Sequence, residues 1–155
     1  MKNEVNYLNN ISETLSPQDL YLELEAFSEG RSLRAWQCMG AHPARDQSGP
    51  DGWLFRVWAP NAPLVSLLGD FNGWDIHKTP MERLEGGIWQ IFVPGLHQYD
   101  RYQFAVHDGS GGYVGKADPY AFHADTRPEV SSKLYDLSHY TWGDKSWLNW
   151  RKKYT

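Results

Sequence analysis

One cysteine among 155 residues, Cys38, rules out an internal disulfide, so nothing demands an oxidising compartment. No stretch approaches the roughly 20 apolar residues of a membrane span. The start, Met1-Lys2-Asn3-Glu4-Val5, lacks the charged-then-apolar layout of a secretory leader, and a cytoplasmic location without membrane attachment is expected. Positive charge is scarce: 15 Lys+Arg against 19 Asp+Glu give a net charge of -4. With no basic stripe, nucleic acid is not an expected partner. The length also leaves no room for a catalytic barrel of about 250 residues beside another core. What the chain has in excess is aromatic: 8 Trp, 9 Tyr and 6 Phe make up 15% of it. Such side chains fill sandwich cores, cover interfaces, or stack on sugars and bases.

Catalytic signatures are missing as well. There is no phosphate-binding Gly-rich loop, no His-Glu-x-x-His helix and no Gly-x-Ser-x-Gly elbow. The six histidines (His42, His77, His97, His107, His123, His139) are scattered, without zinc-like spacing, so neither metal nor cofactor is expected. Cys38 reads as a small buried residue rather than a nucleophile. Asp70 and Asp75 flank Phe71-Asn72-Gly73-Trp74, and glycoside chemistry needs a pair of carboxylates. The favoured reading is that Asp70 and Asn72 organise a turn through side-chain hydrogen bonds. The chain alone is expected to catalyse nothing.

Three stretches separate by composition. Residues 1–40 read as a helical amino-terminal extension. Ser16 is its candidate N-cap, Pro17 its first helical residue and Gly30 its stop, with Leu20, Leu24 and Phe27 at helical spacing. A second helical segment is expected over 33–39. The extension has too few apolar residues for a core of its own and must lean on something. Residues 41–136 begin with a polar, turn-rich loop over 41–52 and continue as short runs of period-2 alternation. These runs predict a mainly β fold, an immunoglobulin-like antiparallel β-sandwich. Trp58 and Trp89 fall inside strands and are assigned to the core. Residues 137–155 carry Trp142, Trp147 and Trp150 without strand alternation; an aromatic tail of this kind docks on another surface.

Trp74 follows a turn at the end of a strand, where its ring can fold onto the core or face outward to stack on a ligand. The run Phe55-Arg56-Val57-Trp58-Ala59-Pro60-Asn61-Ala62, and then Val65-Ser66-Leu67-Leu68-Gly69-Asp70-Phe71-Asn72-Gly73-Trp74, resembles carbohydrate-binding module family 48. This is the early-immunoglobulin-like module attached to α-amylase superfamily enzymes. Gly87-Ile88-Trp89, Tyr102-Gln103-Phe104, Lys116-Ala117-Asp118-Pro119-Tyr120-Ala121 and Arg127-Pro128-Glu129 continue the match. With Gly40-Ala41-His42 and Tyr140-Thr141-Trp142-Gly143-Asp144, the combination is most similar to the amino-terminal part of bacterial glycogen branching enzymes.

The resemblance implies an α-1,4-glucan (glycogen or maltooligosaccharide) as ligand and the (β/α)8 barrel of a parent enzyme as partner. The catalytic aspartate and glutamate would lie in that downstream barrel, so no catalytic residue is carried over. Residues 137–155 would be the linker toward the barrel, with Trp142, Trp147 and Trp150 at the interface. Glycogen-binding relatives hold sugar with a Trp after the Phe-Asn-x-Trp turn, a Lys in the Tyr-Lys-Phe strand and a second Trp after the turn that follows it. Trp74 keeps the first of these positions, whereas Gln103 stands at the second and Tyr113 at the third. Two functions follow from this. One is a non-catalytic glucan-binding and scaffold module; the other is a purely structural sandwich that packs on the barrel and binds no sugar.

Overall fold

The computed structural model describes residues 11–12, 15–46 and 49–153. The helical reading of residues 1–10 and 13–14 falls outside them, as do Gln47, Ser48 and the last two residues of the tail. The chain order is β1 (Ile11–Ser12), α1 (Pro17–Ser28), β2 (Gly40–Asp46), β3 (Asp51–Trp58), β4 (Val65–Gly69) and β5 (Glu82–Arg83). It continues with β6 (Ile88–Pro94), β7 (Arg101–His107), β8 (Tyr113–Lys116), β9 (His123–Ala124), β10 (Ser132–Lys133) and α2 (Lys145–Arg151). All the pairings are antiparallel. One sheet runs β1-β2-β3-β6-β5, and the other β4-β7-β10-β9 with β8 also on β7. The expected β-sandwich with a short helical extension is the observed architecture.

Alternation builds the inner core. Trp53, Phe55 and Val57 of β3 face Val65, Leu67, Tyr102, Phe104 and Leu134 across the sandwich, with Trp89 and Met81 filling the same layer. Trp89 satisfies its indole N–H on the Ala59 carbonyl at 3.0 Å. A buried indole needs such a partner.

The outer face of the first sheet is covered by the extension. Ser16 caps α1 by accepting the Asp19 N–H at 3.2 Å, with Pro17 at the helix start. The buried Leu20 of α1 then meets Cys38, Met39 and Ile88, and Leu24, Phe27 and Tyr120 close the margin. Beneath this cover Arg56 and Gln90 are buried in register on the outer face. Arg56 donates to the Gln90 side-chain oxygen and to the Cys38 carbonyl, each at 3.3 Å.

Three sequence readings need correction. Over 41–52, β2 replaces most of the expected loop, pairing residue by residue with β3 from Gly40↔Arg56 to Arg45↔Asp51. Pro43 gives the segment its loop-like look, but among the described residues β2 is bordered on its far side only by the two-residue β1, and proline is tolerated near a sheet margin. The segment 33–39 holds only a short 3-10 turn, Ala35–Gln37. Trp58 is not a core residue. It is 53% exposed, on the outer face of β3, edge-on to Phe27 at 6.2 Å, with its indole N–H on the Gly86 carbonyl at 3.0 Å. The buried tryptophan of this strand is Trp53, only 5% exposed.

Candidate functional site

The turn after β4 is organised by one side chain. Asn72 is buried, and its carbonyl oxygen accepts the Gly69 and Trp74 N–H groups at 3.1 and 3.0 Å. Its amide donates to the Leu67 carbonyl at 2.9 Å and to the Thr79 hydroxyl at 2.6 Å. Gly69 is required by close approach, since a Cβ there would lie 2.6 Å from the Arg101 carbonyl oxygen. Gly73 and Trp74 then both take left-handed backbone, with φ of 69° and 63°. Glycine does so freely, whereas a bulky residue there is an outlier. The turn thereby aims Trp74 away from the inter-sheet core.

Outside the core, the indole is held at its N–H edge and over its ring. Its N–H donates to Asp70 Oδ1 at 3.1 Å, and the Arg101 guanidinium lies 5.9 Å from its ring centre. Arg101 in turn grips Asp70 with two bonds, Nη2 to Oδ1 at 2.9 Å and Nε to Oδ2 at 3.0 Å. These hydrogen bonds from Arg101 hold the Asp70 carboxyl below its ordinary range, against a smaller opposing effect of burial. Asp70 is thus an acceptor and a clamp, not a proton donor. Asp75 accepts the His77 N–H at 2.9 Å and serves its own turn. Asn72 does the turn-building expected of it, while the Asp70 side chain reaches across to β7.

Antiparallel neighbours share a sheet face, which maps the outer face of the second sheet. Asp70 follows the Gly69↔Tyr102 pair, so it stands level with Arg101. Arg101 pairs with Lys133, and Lys133 with His123, which makes a row Asp70–Arg101–Lys133–His123 across four chain segments. Asp125 ties the row together, 2.9 Å from Lys133 Nζ and 3.9 Å from Arg101 Nη1. The next row holds Leu68 and Gln103, with Gln103 donating to the Ser131 hydroxyl at 3.4 Å. Tyr113 pairs with His107 at the far end of β7. It is 45% exposed, and its ring is 6.0 Å from that of His107.

Of the three sugar-site positions read from the sequence, the fold places Trp74 against Arg101 of the first row and Gln103 on the next row of the same face, beside the buried Leu68. Tyr113 lies on the same face but six residues along β7 from Arg101, about 20 Å at the usual strand rise. Arg101, the first residue of β7, is not among the site residues that the sequence points to. It is two residues from Gln103 on one face, and that spacing is the signal that could have found it. In the tail, Trp142, Trp147 and Trp150 are all exposed. Trp147 stacks under Arg151 at 4.8 Å and Trp142 meets Tyr140 edge-on at 5.1 Å. Among the described residues no group of three or more His, Cys, Asp or Glu could hold a metal ion. No described helix is long and apolar enough to cross a membrane.

The profile of carbohydrate-binding module 48, the isoamylase N-terminal domain, matches residues 38–121. The 1,4-alpha-glucan branching enzyme of Myxococcus xanthus is 46% identical over 140 residues, which is 89% of this chain and 18% of that protein. The enzyme of the same name from Thermosynechococcus vestitus is 41% identical over 137 residues, again 18% of its length. Pullulanase from Bacillus acidopullulyticus superposes with a TM-score of 0.51 at 28% identity, covering 64% of this chain and 12% of that one. The chain therefore spans less than one fifth of each of these relatives.

Proposed function

The chain belongs to the carbohydrate-binding module 48 family, and from that premise we propose that it is a non-catalytic α-1,4-glucan-binding module of a glycogen branching enzyme. The parent enzyme would cleave an α-1,4 linkage and transfer the fragment to a 6-hydroxyl, forming an α-1,6 branch during glycogen synthesis in the cytoplasm. The module holds the glucan that the barrel works on. The observation that carries this reading is Trp74: a half-buried indole in a left-handed backbone, pinned outside the core by Asn72, Asp70 and Arg101. An indole with the Asp70 carboxylate at its N–H edge and the Arg101 guanidinium over one face offers its other face to a pyranose, whose C–H face is apolar and whose hydroxyls lie around the rim. Gln103, one row away, supplies an amide to those hydroxyls.

Trp74→Gly tests the reading, because glycine accepts the local φ without strain and only the ring is lost. Calorimetric titration with maltoheptaose should show affinity falling about tenfold or more, the size of losing one aromatic anchor. An unchanged affinity would remove Trp74 from the site. The exposed Trp142, Trp147 and Trp150 favour a second role in the same parent: they would pack against the catalytic barrel, making the module a scaffold as well as a binder.

A further inference from the structure

Three rings meet at the His123 end of the row Asp70–Arg101–Lys133–His123. The Tyr99 ring centre lies 5.6 Å from that of His123 and 5.8 Å from that of Tyr135. His123 and Tyr135 are 5.7 Å apart and inclined by only 35°. Tyr99 is 52% exposed, and none of the three belongs to a hydrophobic cluster of the described residues. His123 is in register with Lys133, and Lys133 with Arg101, so the cluster shares the open face with Trp74.

The backbone picks out the same two ends. Among the described residues, Trp74 at φ 63° and Tyr99 at φ 75° are the only non-glycine residues with left-handed backbone. Such outliers persist where the surroundings over-determine them, and they gather at ligand sites. Tyr99 is held by its N–H on the Leu134 carbonyl at 2.8 Å, next to the Leu134 N–H on the Asp100 carbonyl at 3.0 Å. Glycine would sit at either position without strain. What the strained backbone holds in place is in both cases an aromatic ring, Trp74 against Arg101 and Tyr99 against His123.

We propose that Tyr99, His123 and Tyr135 form a second sugar subsite, which takes later glucose units of the α-1,4-glucan chain that contacts Trp74. The proposal rests on the α-glucan reading above. Between the two aromatic ends lie Arg101, Lys133 and Asp125, donors and acceptors for sugar hydroxyls. His123 Nδ1 is 3.0 Å from the Ala124 carbonyl oxygen; donating there leaves Nε2 as an acceptor. Two strand spacings, about 10 Å, separate Arg101 from His123, against about 20 Å along β7 to Tyr113. A chain that leaves Trp74 across the strands therefore meets this cluster well before one running along β7 meets Tyr113.

The test uses two variants of the 155-residue chain, Tyr99→Gly and Tyr135→Ala, titrated calorimetrically with maltotriose and maltoheptaose. Maltoheptaose affinity should fall about fivefold in each variant, the order of one truncated aromatic contact. Maltotriose affinity, held at Trp74, should stay within about twofold, and the melting temperature of Tyr99→Gly should not drop. Unchanged maltoheptaose affinity in both variants, with wild-type binding intact, overturns the subsite and leaves the Trp74 site standing. Equal losses for the two sugars overturn it as a place separate from Trp74. Absence of binding by the wild-type chain overturns the glucan reading and the subsite together.

Discussion

The two sheets of the sandwich treat their outer faces in opposite ways. On the first, α1 and the turn before β2 cover the strands, and Leu20, Cys38, Met39 and Ile88 make a second small core. Even Arg56 and Gln90 are buried there. On the second, the row Asp70–Arg101–Lys133–His123 stays open, ending in aromatic rings on left-handed backbone. A sandwich needs only its inner faces to fold. Covering one outer face adds stability. On the other, Ser66, Leu68 and Ala105 are buried too. The part left accessible is the charged row with its locally strained aromatic ends, the arrangement expected of a strip that meets a ligand.

The covered face should break hardest. Met39 is fully buried, and truncating a buried methionine costs about 2–5 kcal/mol, because the lost contacts leave a cavity. Met39→Ala should lower stability by that amount in urea unfolding. The folded fraction should bind maltoheptaose as the wild type does. A parallel loss of sugar affinity would show that the two faces are not independent.

Asn72→Ala sharpens the contrast from the other side. It removes the side chain that holds Gly69 and Trp74 by their N–H groups and reaches Leu67 and Thr79. Leaving buried partners unpaired costs about 1–3 kcal/mol. Unlike Met39→Ala, it should also weaken glucan binding, since nothing else in the turn holds the Trp74 amide except the Gly69 carbonyl. Stability lost with binding intact would mean that the ring needs no such positioning.

Much of this division could be read from the residues, and the failures have a common cause. The Asn72-Gly73-Trp74 turn is local, so its chemistry is written in consecutive residues. Alternation assigns Trp58 to the core because it separates two faces without saying which is inner, and in β3 both faces are largely covered. Pro43 hides the strand over 40–46, whose pairing with β3 no local pattern shows. The meeting of Arg101, Lys133 and His123 depends on the register of three strands spread over more than thirty residues. No local pattern encodes that register.

The smallest expected effect concerns two aspartates with opposite environments. Asp70, on the open face, has its carboxyl lowered from the ordinary 3.8, chiefly by hydrogen bonds from Arg101. Its contribution to stability is present above 3.8 and disappears as pH falls through the folded value. Asp118 sits where the cover meets the sandwich. It accepts the Tyr102 hydroxyl at 2.6 Å and the Tyr120 N–H at 2.8 Å, yet burial outweighs both and raises its carboxyl from 3.8. The sign is therefore reversed: its contribution is fully present below 3.8 and is lost as pH rises through the raised value. Urea unfolding between about pH 3 and 7 separates the two. Asp70→Asn should flatten the loss of stability on the acid side, and Asp118→Asn should flatten the loss on the side of rising pH. If both variants shift the profile in the same direction, the contrast between an open, charge-clamped face and a covered, desolvated margin does not hold at these carboxylates.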